Sequence, residues 1–212
     1  MKKLLSVLLA VTVLLALSSI ALAADPVAIY IDSVTNNAGI TYNFDSDVEG
    51  WVGKDADATY SYNKTTVAHE TFDGKGCLKM ILEPGNKNFV QYQVQMPLEG
   101  ADIQAGQTFV FKVYIPENVN VKTLQPFIQW DNWAEWKDGW TETFVKGQWN
   151  DVEFTIPSGF TAPANAFGFQ LQLNEGLDAE EEQNPQTGYA SVLPFVLLAG
   201  ASGVVLLKSR KK

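Results

Sequence analysis

The chain has 212 residues, a hydrophobic fraction of 46% and a formal net charge of −9, which argues against nucleic acid and anionic lipid as partners. Its single cysteine, Cys77, excludes an internal disulfide, and its single histidine, His69, has no nucleophile motif beside it. The sequence contains no glycine-rich phosphate loop and no Cys/His metal cluster.

Residues 1–23 have the pattern of a secretory signal peptide. Lys2 and Lys3 precede a long apolar run, and the run ends in Ala21-Leu22-Ala23, a small-x-small cleavage site. An uncleaved membrane anchor is the alternative. We therefore expect a secreted protein whose mature chain begins near Ala24.

Short strand-like runs follow one another after this segment, and none of the intervening sequence has a long helical periodicity. Turn sequences such as DGKG, EPGNKN and PSGFTAPAN separate the runs. The predicted strands are 27–34, 40–45, 65–72, 77–83, 88–96, 107–115, 123–130, 150–156 and 166–173. Many short strands at this spacing predict an all-β fold, an antiparallel β-sandwich over residues 24–174.

Glutamines occupy alternate positions on three of the predicted strands. They are Gln91, Gln93 and Gln95, then Gln125 and Gln129, then Gln170 and Gln172. Because successive side chains alternate across a strand, each set shares one face. If the three strands share a sheet, that face is lined with amides, which both donate and accept hydrogen bonds. An ordinary solvated face is the alternative.

The segment IQWDNWAEWKDGW, residues 128–140, holds four of the six tryptophans among charged residues. Large exposed apolar groups usually mark binding sites. An indole ring can cover the apolar C–H face of a sugar while nearby amides bind its hydroxyls, so the segment predicts a sugar-binding surface. The predicted contact residues are Trp130, Trp133, Trp136, Trp140, Gln91, Gln93, Gln129, Gln170 and Gln172. The alternative is that some of these tryptophans pack beneath the loop as a minor core, with Trp130 first among them.

Four segments in order resemble landmarks of one protein family. YNFDSDVEGW, LQPFIQWDNWAEW, KGQWNDVEFTIP and AFGFQLQL are similar to successive parts of the β-jelly-roll carbohydrate-binding modules attached to secreted mannanases and cellulases, over roughly residues 27–174. The resemblance implies a jelly-roll sandwich that binds polysaccharide, of β-mannan or β-glucan type, without cleaving it.

One segment departs from the family pattern in its position. In such modules a closing strand similar to VYIDSVTL follows the FQLQL strand, whereas here AIYIDSVT, residues 28–35, stands near the start and an acidic segment follows Leu173. We therefore expect a circularly permuted module in which residues 28–35 fill the position of the last strand. The alternative is an extra edge strand with the closing position left open.

The resemblance also implies a structural Ca²⁺ near the first and last strands. Asp32 would be the ligand on the closing strand, and Asp45, Asp47 and Glu49 cluster in FDSDVEG. Calcium takes several oxygen ligands of this kind. An acidic turn without metal is the alternative.

Two other functions use the same residues. A jelly-roll glycoside hydrolase needs two carboxylates in one cleft, but DSDVE lies at a strand end, and Glu135 and Asp138 lie in a predicted loop. We therefore expect no enzymatic activity. A surface adhesin would use exposed aromatic residues as hot spots for a protein partner, although the glutamine-lined face favours sugar.

The C-terminal part has an acidic linker with the motif NPQTG, residues 175–188, and an apolar run with a basic tail, residues 189–212. The run is long enough to cross a bilayer, with its basic end on the cytoplasmic side. This order resembles the sorting signal of Gram-positive surface proteins, although Asn184 stands where the common motif has Leu. It implies that sortase cuts between Thr187 and Gly188 and joins the chain to peptidoglycan on the extracellular face; a retained membrane tail is the alternative.

Overall fold

The structure is a computed structural model that describes residues 26–97 and 103–178. The predicted signal peptide, the sorting residues Thr187 and Gly188, and the apolar tail 189–212 lie outside these ranges. Within the ranges, no helix has the length and apolar character needed to cross a membrane.

Eleven β-strands make up the regular structure of the described residues. They are β1 (Ala28–Asn36), β2 (Thr41–Tyr42), β3 (Val52–Gly53), β4 (Thr65–Phe72), β5 (Lys75–Leu82), β6 (Gln91–Pro97), β7 (Thr108–Tyr114), β8 (Val121–Trp130), β9 (Glu135–Asp138), β10 (Trp149–Thr155) and β11 (Ala164–Leu173). Each predicted strand has a counterpart among them, although the run at 40–45 is reduced to the two residues of β2. The short strands β3 and β9 were not predicted.

The strands form two antiparallel sheets that pack on each other. Sheet A has the order β10-β7-β1-β5-β4, with β2 paired to β1, and sheet B has the order β3-β6-β11-β8-β9. The predicted antiparallel β-sandwich is therefore confirmed.

The core lies between the two sheets and is rich in aromatic rings. Phe109 on β7 of sheet A lies 4.2 Å from Phe167 on β11 of sheet B, measured between ring centroids. Trp51, which is fully buried, contacts Phe111 and Phe167 edge-on at 6.3 and 6.2 Å. Because these residues take the inward positions of their strands, the residues that alternate with them face outward.

The first strand occupies an interior position. β1 pairs with β5 on one side and with β7 on the other, and Ile29 and Ile31 on it are fully buried. The alternative that residues 28–35 form an extra edge strand is therefore wrong. Circular permutation of the module stays a prediction.

The single cysteine is buried, whereas the single histidine is exposed. Cys77 is fully buried on β5, and burial raises the pKa of its thiol to about 11. The thiol therefore stays protonated at neutral pH, as expected of a small apolar core residue. His69 is exposed on β4.

Candidate functional site

The three glutamine-bearing strands are neighbours in sheet B. β11 pairs with β6 on one side and with β8 on the other, which places Gln170 opposite both Gln93 and Gln125. Gln172 lies opposite Gln91 in the next row. The prediction that the three strands share one sheet is confirmed, and their amides lie on its outer face.

An open groove of about 690 Å³ lies over this face. Its lining consists of aromatic, amide and lysine side chains from three parts of the chain. The lining residues are Lys54, Tyr60, Tyr62, Gln91, Gln93, Gln95, Gln129, Trp133 and Trp136. No carboxylate of the described residues is among them.

Trp136 forms one flank of the groove, on the short edge strand β9. Its ring stacks on Phe127 with centroids 4.4 Å apart and planes 13° apart. The Phe127 ring extends from β8 over β11 at Gly168, and a Cβ added to Gly168 would lie 2.7 Å from that ring. The Phe127 ring therefore occupies the space that a side chain at Gly168 would need, and Trp136 rests on that ring.

Trp133 completes the same flank from the loop between β8 and β9. Its side chain is 54% exposed. Its backbone N–H donates to Asn165 Oδ1 at 2.9 Å, and its carbonyl oxygen accepts from Gln129 Nε2 at 3.0 Å. The indole is thus open to solvent while the backbone that carries it is held at both ends.

Tyr60 and Tyr62 form the other flank, in a tight turn closed by two backbone hydrogen bonds between Asp57 and Tyr62, each 3.0 Å. Tyr60 is exposed, whereas Tyr62 is buried and its hydroxyl donates to Gln170 Oε1 at 2.6 Å. Lys54 Nζ lies 5.1 Å from the centroid of the Tyr62 ring.

The environment of Tyr62 keeps its hydroxyl protonated. Burial raises the pKa of Tyr62 to about 12, with smaller contributions from the carboxylates of Asp57 and Asp138. At neutral pH the hydroxyl is therefore a permanent hydrogen-bond donor to the amide floor.

Several amides of the floor are oriented by bonds to one another and to the backbone. Gln93 Nε2 donates to Gln95 Oε1 at 2.8 Å, and Gln91 Nε2 donates to the Tyr60 carbonyl oxygen at 3.3 Å. Gln125 is buried on β8, and its Nε2 has no hydrogen-bond partner among the described residues. An amide fixed by one bond keeps capacity for others, so Gln91 and Gln95 present oriented polar groups to the groove.

The groove brings together five of the predicted contact residues: Gln91, Gln93, Gln129, Trp133 and Trp136. Trp130 is a correction. It is 6% exposed and packs edge-on against Phe160 with centroids 5.5 Å apart, because it follows Ile128 on the inward side of β8. The prediction that Trp130 contacts ligand is therefore wrong.

Three further predicted contacts lie outside the groove lining. Trp140 is exposed, but its indole N–H donates to Asp138 Oδ2 at 2.8 Å and its ring does not line the groove. Gln170 shares the amide face but is buried beneath its bond to Tyr62, and Gln172 lies half-buried beside it. Their alternation on one face was predicted correctly, and contact of Gln172 with a ligand stays a prediction.

The sequence-based prediction missed Lys54, Tyr60 and Tyr62. They lie in KDADATYSY, residues 54–62, where two tyrosines stand in a polar turn segment. Exposed aromatic residues among polar ones are the same signal that marks residues 128–140. That signal could have identified this flank.

The four carboxylates predicted for calcium do not converge. Asp32 Oδ2 lies 3.2 Å from Lys75 Nζ, and Asp47 Oδ1 accepts the backbone N–H of Glu49 at 2.6 Å. Asp45 adds no third ligand: in residues 26–97 and 103–178, no three His, Cys, Asp or Glu side chains form a group able to hold a metal. Glu49 Oε2, by contrast, is buried without a hydrogen-bond partner among the described residues, and calcium binding stays a prediction.

Comparison with known proteins gives one structural likeness. No protein-family model matches the sequence, and no curated protein matches it significantly. A solved structure described as a carbohydrate-binding module from the β-sandwich superfamily is similar over 73% of this chain and 81% of its own, with 13% identity and a TM-score of 0.26. At this level of similarity, the specificity of that protein is not transferred to this chain.

Proposed function

We propose that this protein binds a polysaccharide, without cleaving it, in the groove on the outer face of sheet B. One observation carries the proposal: aromatic rings flank an amide floor on both sides. A sugar ring has apolar C–H faces and a rim of hydroxyls that donate and accept hydrogen bonds. Aromatic faces suit the first and amides suit the second.

The separation of the two flanks suits a chain of sugars rather than a single one. Tyr62 reaches Gln170 on β11, whereas Trp136 lies two strands away and opposite Gln129, in the row of Ala166. From ordinary strand spacing and rise, the backbone positions of Gln170 and Trp136 are about 17 Å apart, and the Trp136 ring leans from there over Phe127, which pairs with Gly168 on β11. A polymer would lie across the strands from one aromatic flank to the other.

The chemistry of the lining supports binding rather than hydrolysis. Glycoside hydrolysis uses a pair of carboxylates on either side of the scissile bond. The lining offers amides, phenols, indoles and one ammonium group, and Lys54 Nζ lies 3.8 Å from Asp57 Oδ2, where its charge is partly balanced. Such a groove can hold a neutral glycan, but its described lining has no acid and base for cleavage.

The finer parts of the proposal rest on the sequence resemblances. We propose a β-mannan or β-glucan as the polymer, and the extracellular face of a Gram-positive bacterium as the location. There the chain would be joined to peptidoglycan by sortase cleavage between Thr187 and Gly188, or retained by the apolar tail 189–212. The groove would hold a polysaccharide at the cell surface.

Affinity electrophoresis in gels that contain soluble mannan, β-glucan or xylan tests the proposal. We expect retardation by at least one glycan. Trp133→Ala and Trp136→Ala should each weaken it about tenfold, since truncating a central tryptophan typically costs more than ~1 kcal/mol. Trp140→Ala is the matched control, because Trp140 is about as exposed as Trp133 in the same segment but does not line the groove.

The outcomes separate the alternatives. Absence of retardation by every glycan would contradict sugar binding and leave the adhesin hypothesis. Release of reducing sugar from any of the polymers would favour a hydrolase. A loss in Trp140→Ala as large as in Trp136→Ala would place the site elsewhere along this segment. Circular dichroism of each variant checks that the sandwich has folded.

A further inference from the structure

We infer that Asn165 and Gln129 are positioning residues, which hold Trp133 over the groove in a backbone conformation that the loop would not keep unaided. The inference rests on the proposed function and deepens it. It gives Gln129 a role different from the direct sugar contact predicted from the sequence.

The loop that carries Trp133 has an unfavourable backbone. Asp131, Asn132 and Trp133 have φ angles of 55°, 50° and 73°, so three consecutive residues with side chains lie in the left-handed region. Single Asn and Asp residues adopt this conformation fairly often, but a bulky residue such as Trp rarely does. Three consecutive left-handed residues therefore make a strained backbone. Within the loop, one hydrogen bond closes the turn, from Ala134 N–H to the Asp131 carbonyl oxygen at 3.0 Å.

Two strands supply the additional restraints, one at each end of the residue. Asn165 Oδ1 on β11 accepts the Trp133 N–H at 2.9 Å, and Gln129 Nε2 on β8 donates to the Trp133 carbonyl oxygen at 3.0 Å. The peptide groups on both sides of Trp133 are thus tied to the sheet.

The position of Asn165 in the sheet explains how its side chain reaches the loop. Ala164 pairs with Trp130 and Ala166 pairs with Gln129, so Asn165 is an extra residue in the β11–β8 ladder. Bulges of this kind redirect a side chain and are frequent beside functional sites. Here the bulge presents the amide of Asn165 to the backbone of the loop rather than to a neighbouring strand.

The restraints serve the groove rather than the core. Trp133 is 54% exposed and is absent from the buried cluster between the sheets. Holding an exposed indole in place buries little apolar surface and therefore adds little to stability. It does order the indole before a ligand arrives, which lowers the entropy cost of binding. Loss of a restraint should therefore weaken binding more than it lowers stability.

A variant series at Asn165 tests the inference. Asn165→Ala removes the acceptor for the Trp133 N–H and should weaken glycan binding about threefold to tenfold, the range expected for ordering one large side chain. Asn165→Asp keeps an acceptor oxygen and should restore most of the affinity. In the Trp133→Ala background, Asn165→Ala should cause no additional loss, because it acts through Trp133.

A measurement without ligand separates this inference from the proposed function. In protein labelled with 5-fluorotryptophan, the Trp133 fluorine resonance, assigned by Trp133→Phe, should shift or broaden in Asn165→Ala and stay near its wild-type position in Asn165→Asp. Gln129→Glu removes the second restraint and should disturb the same resonance independently.

Each result has one meaning. An unchanged Trp133 resonance in both Asn165→Ala and Gln129→Glu would overturn the inference, as would an additional affinity loss in the Trp133→Ala background. A disturbed resonance in a protein that binds no glycan would overturn the proposed function and leave the positioning role in place.

Discussion

At the scale of single residues, Tyr62 links the floor of the groove to its tyrosine flank. The ring is buried under Lys54, and the hydroxyl bonds Gln170 on the central strand of sheet B. This bond needs a protonated phenol, and burial together with nearby carboxylates favours that form. The link is therefore sensitive to alkaline pH.

We expect Tyr62 to make the protein less stable at high pH. Its pKa rises from 10.0 to about 12 on folding, so its contribution to stability is complete below pH 10.0 and is lost as pH rises towards about 12. Urea denaturation of wild type and Tyr62→Phe across this interval checks the effect. The phenyl ring of the variant has no proton to lose, so the variant should lose less stability over the interval.

The comparison with the variant is needed because burial also raises the pKa values of Tyr42 and Tyr92. Their contributions are common to both proteins and cancel in the difference. At neutral pH the variant should be less stable by about 1 kcal/mol, the usual net worth of one hydrogen bond. Equal pH slopes in the two proteins would contradict the role given to Tyr62.

Residue-scale prediction from the sequence succeeded where exposure could be inferred from neighbours. Trp133 and Trp136 stand among charged residues, and the structure leaves both open to solvent. The bond from Tyr62 to Gln170 joins residues 108 positions apart. No local pattern signals such a contact, because it depends on how the turn after β3 folds over the sheet.

At the scale of elements, the crossing of β11 by the Phe127 ring determines the shape of the groove. β11 lies between β6 and β8, and Gly168 on it has no side chain to project from the outer face of the sheet. Phe127 fills the space on the outer face, and Trp136 rests on Phe127. Gly168 on the central strand is thus connected to Trp136 on the edge strand β9 through the Phe127 ring.

Gly168→Ala should therefore lower both stability and affinity. The added Cβ would lie 2.3 Å from the Val94 carbonyl oxygen and 2.7 Å from the Phe127 ring. Overpacking of this kind typically costs about 1–3 kcal/mol, and a backbone oxygen cannot move aside. Thermal denaturation should show a lower melting temperature, and affinity electrophoresis should show weaker retardation.

Gly159→Ala is the matched control, since a Cβ at Gly159 meets nothing within 4 Å. It should leave the melting temperature and the affinity unchanged. Equal melting temperatures for Gly168→Ala and wild type would contradict the close crossing at β11.

Strands were predicted from the alternation of polar and apolar residues, and the prediction failed where a strand is too short to show that alternation. β3 has two residues and β9 has four, which is too few for a period of two to stand out. The bulge at Asn165 was also not predicted, because it appears as one extra residue only when β11 is paired with β8.

At the scale of the whole molecule, the two outer faces differ. The outer face of sheet B carries the amide floor and the open flanks. On sheet A, Tyr30 and Phe72 stack with centroids 3.9 Å apart, and Phe72 also contacts Tyr114 and Trp149 at 4.8 and 6.1 Å. These four half-buried rings pack on one another, and Tyr30, Phe72 and Tyr114 line a smaller cavity of about 260 Å³.

Removal of divalent cations should leave the sandwich intact. The carboxylates of Asp32, Asp45, Asp47 and Glu49 do not converge in the structure, so we expect the same melting temperature with and without EDTA. Differential scanning calorimetry provides the measurement, with calcium-saturated EDTA as the control for ionic strength. A lower melting temperature that added Ca²⁺ restores would support the calcium prediction.

The fold class was predictable from the sequence because it depends on the number and spacing of strands. A cluster of acidic residues along the chain, by contrast, does not establish how their side chains are arranged in space. Asp32 illustrates the reason: its strand neighbours place Lys75 beside it, 43 positions away, and the two charges pair.

The described chain begins and ends at one pole of the sandwich. Val27 accepts the N–H of Leu82 at 2.8 Å, and Leu177 accepts the N–H of Gly85 at 3.0 Å. Leu82 and Gly85 are three residues apart, a reach of at most ~11 Å. Val27 and Leu177 are thus held beside one short segment, residues 82–85, although they stand 150 positions apart in the chain.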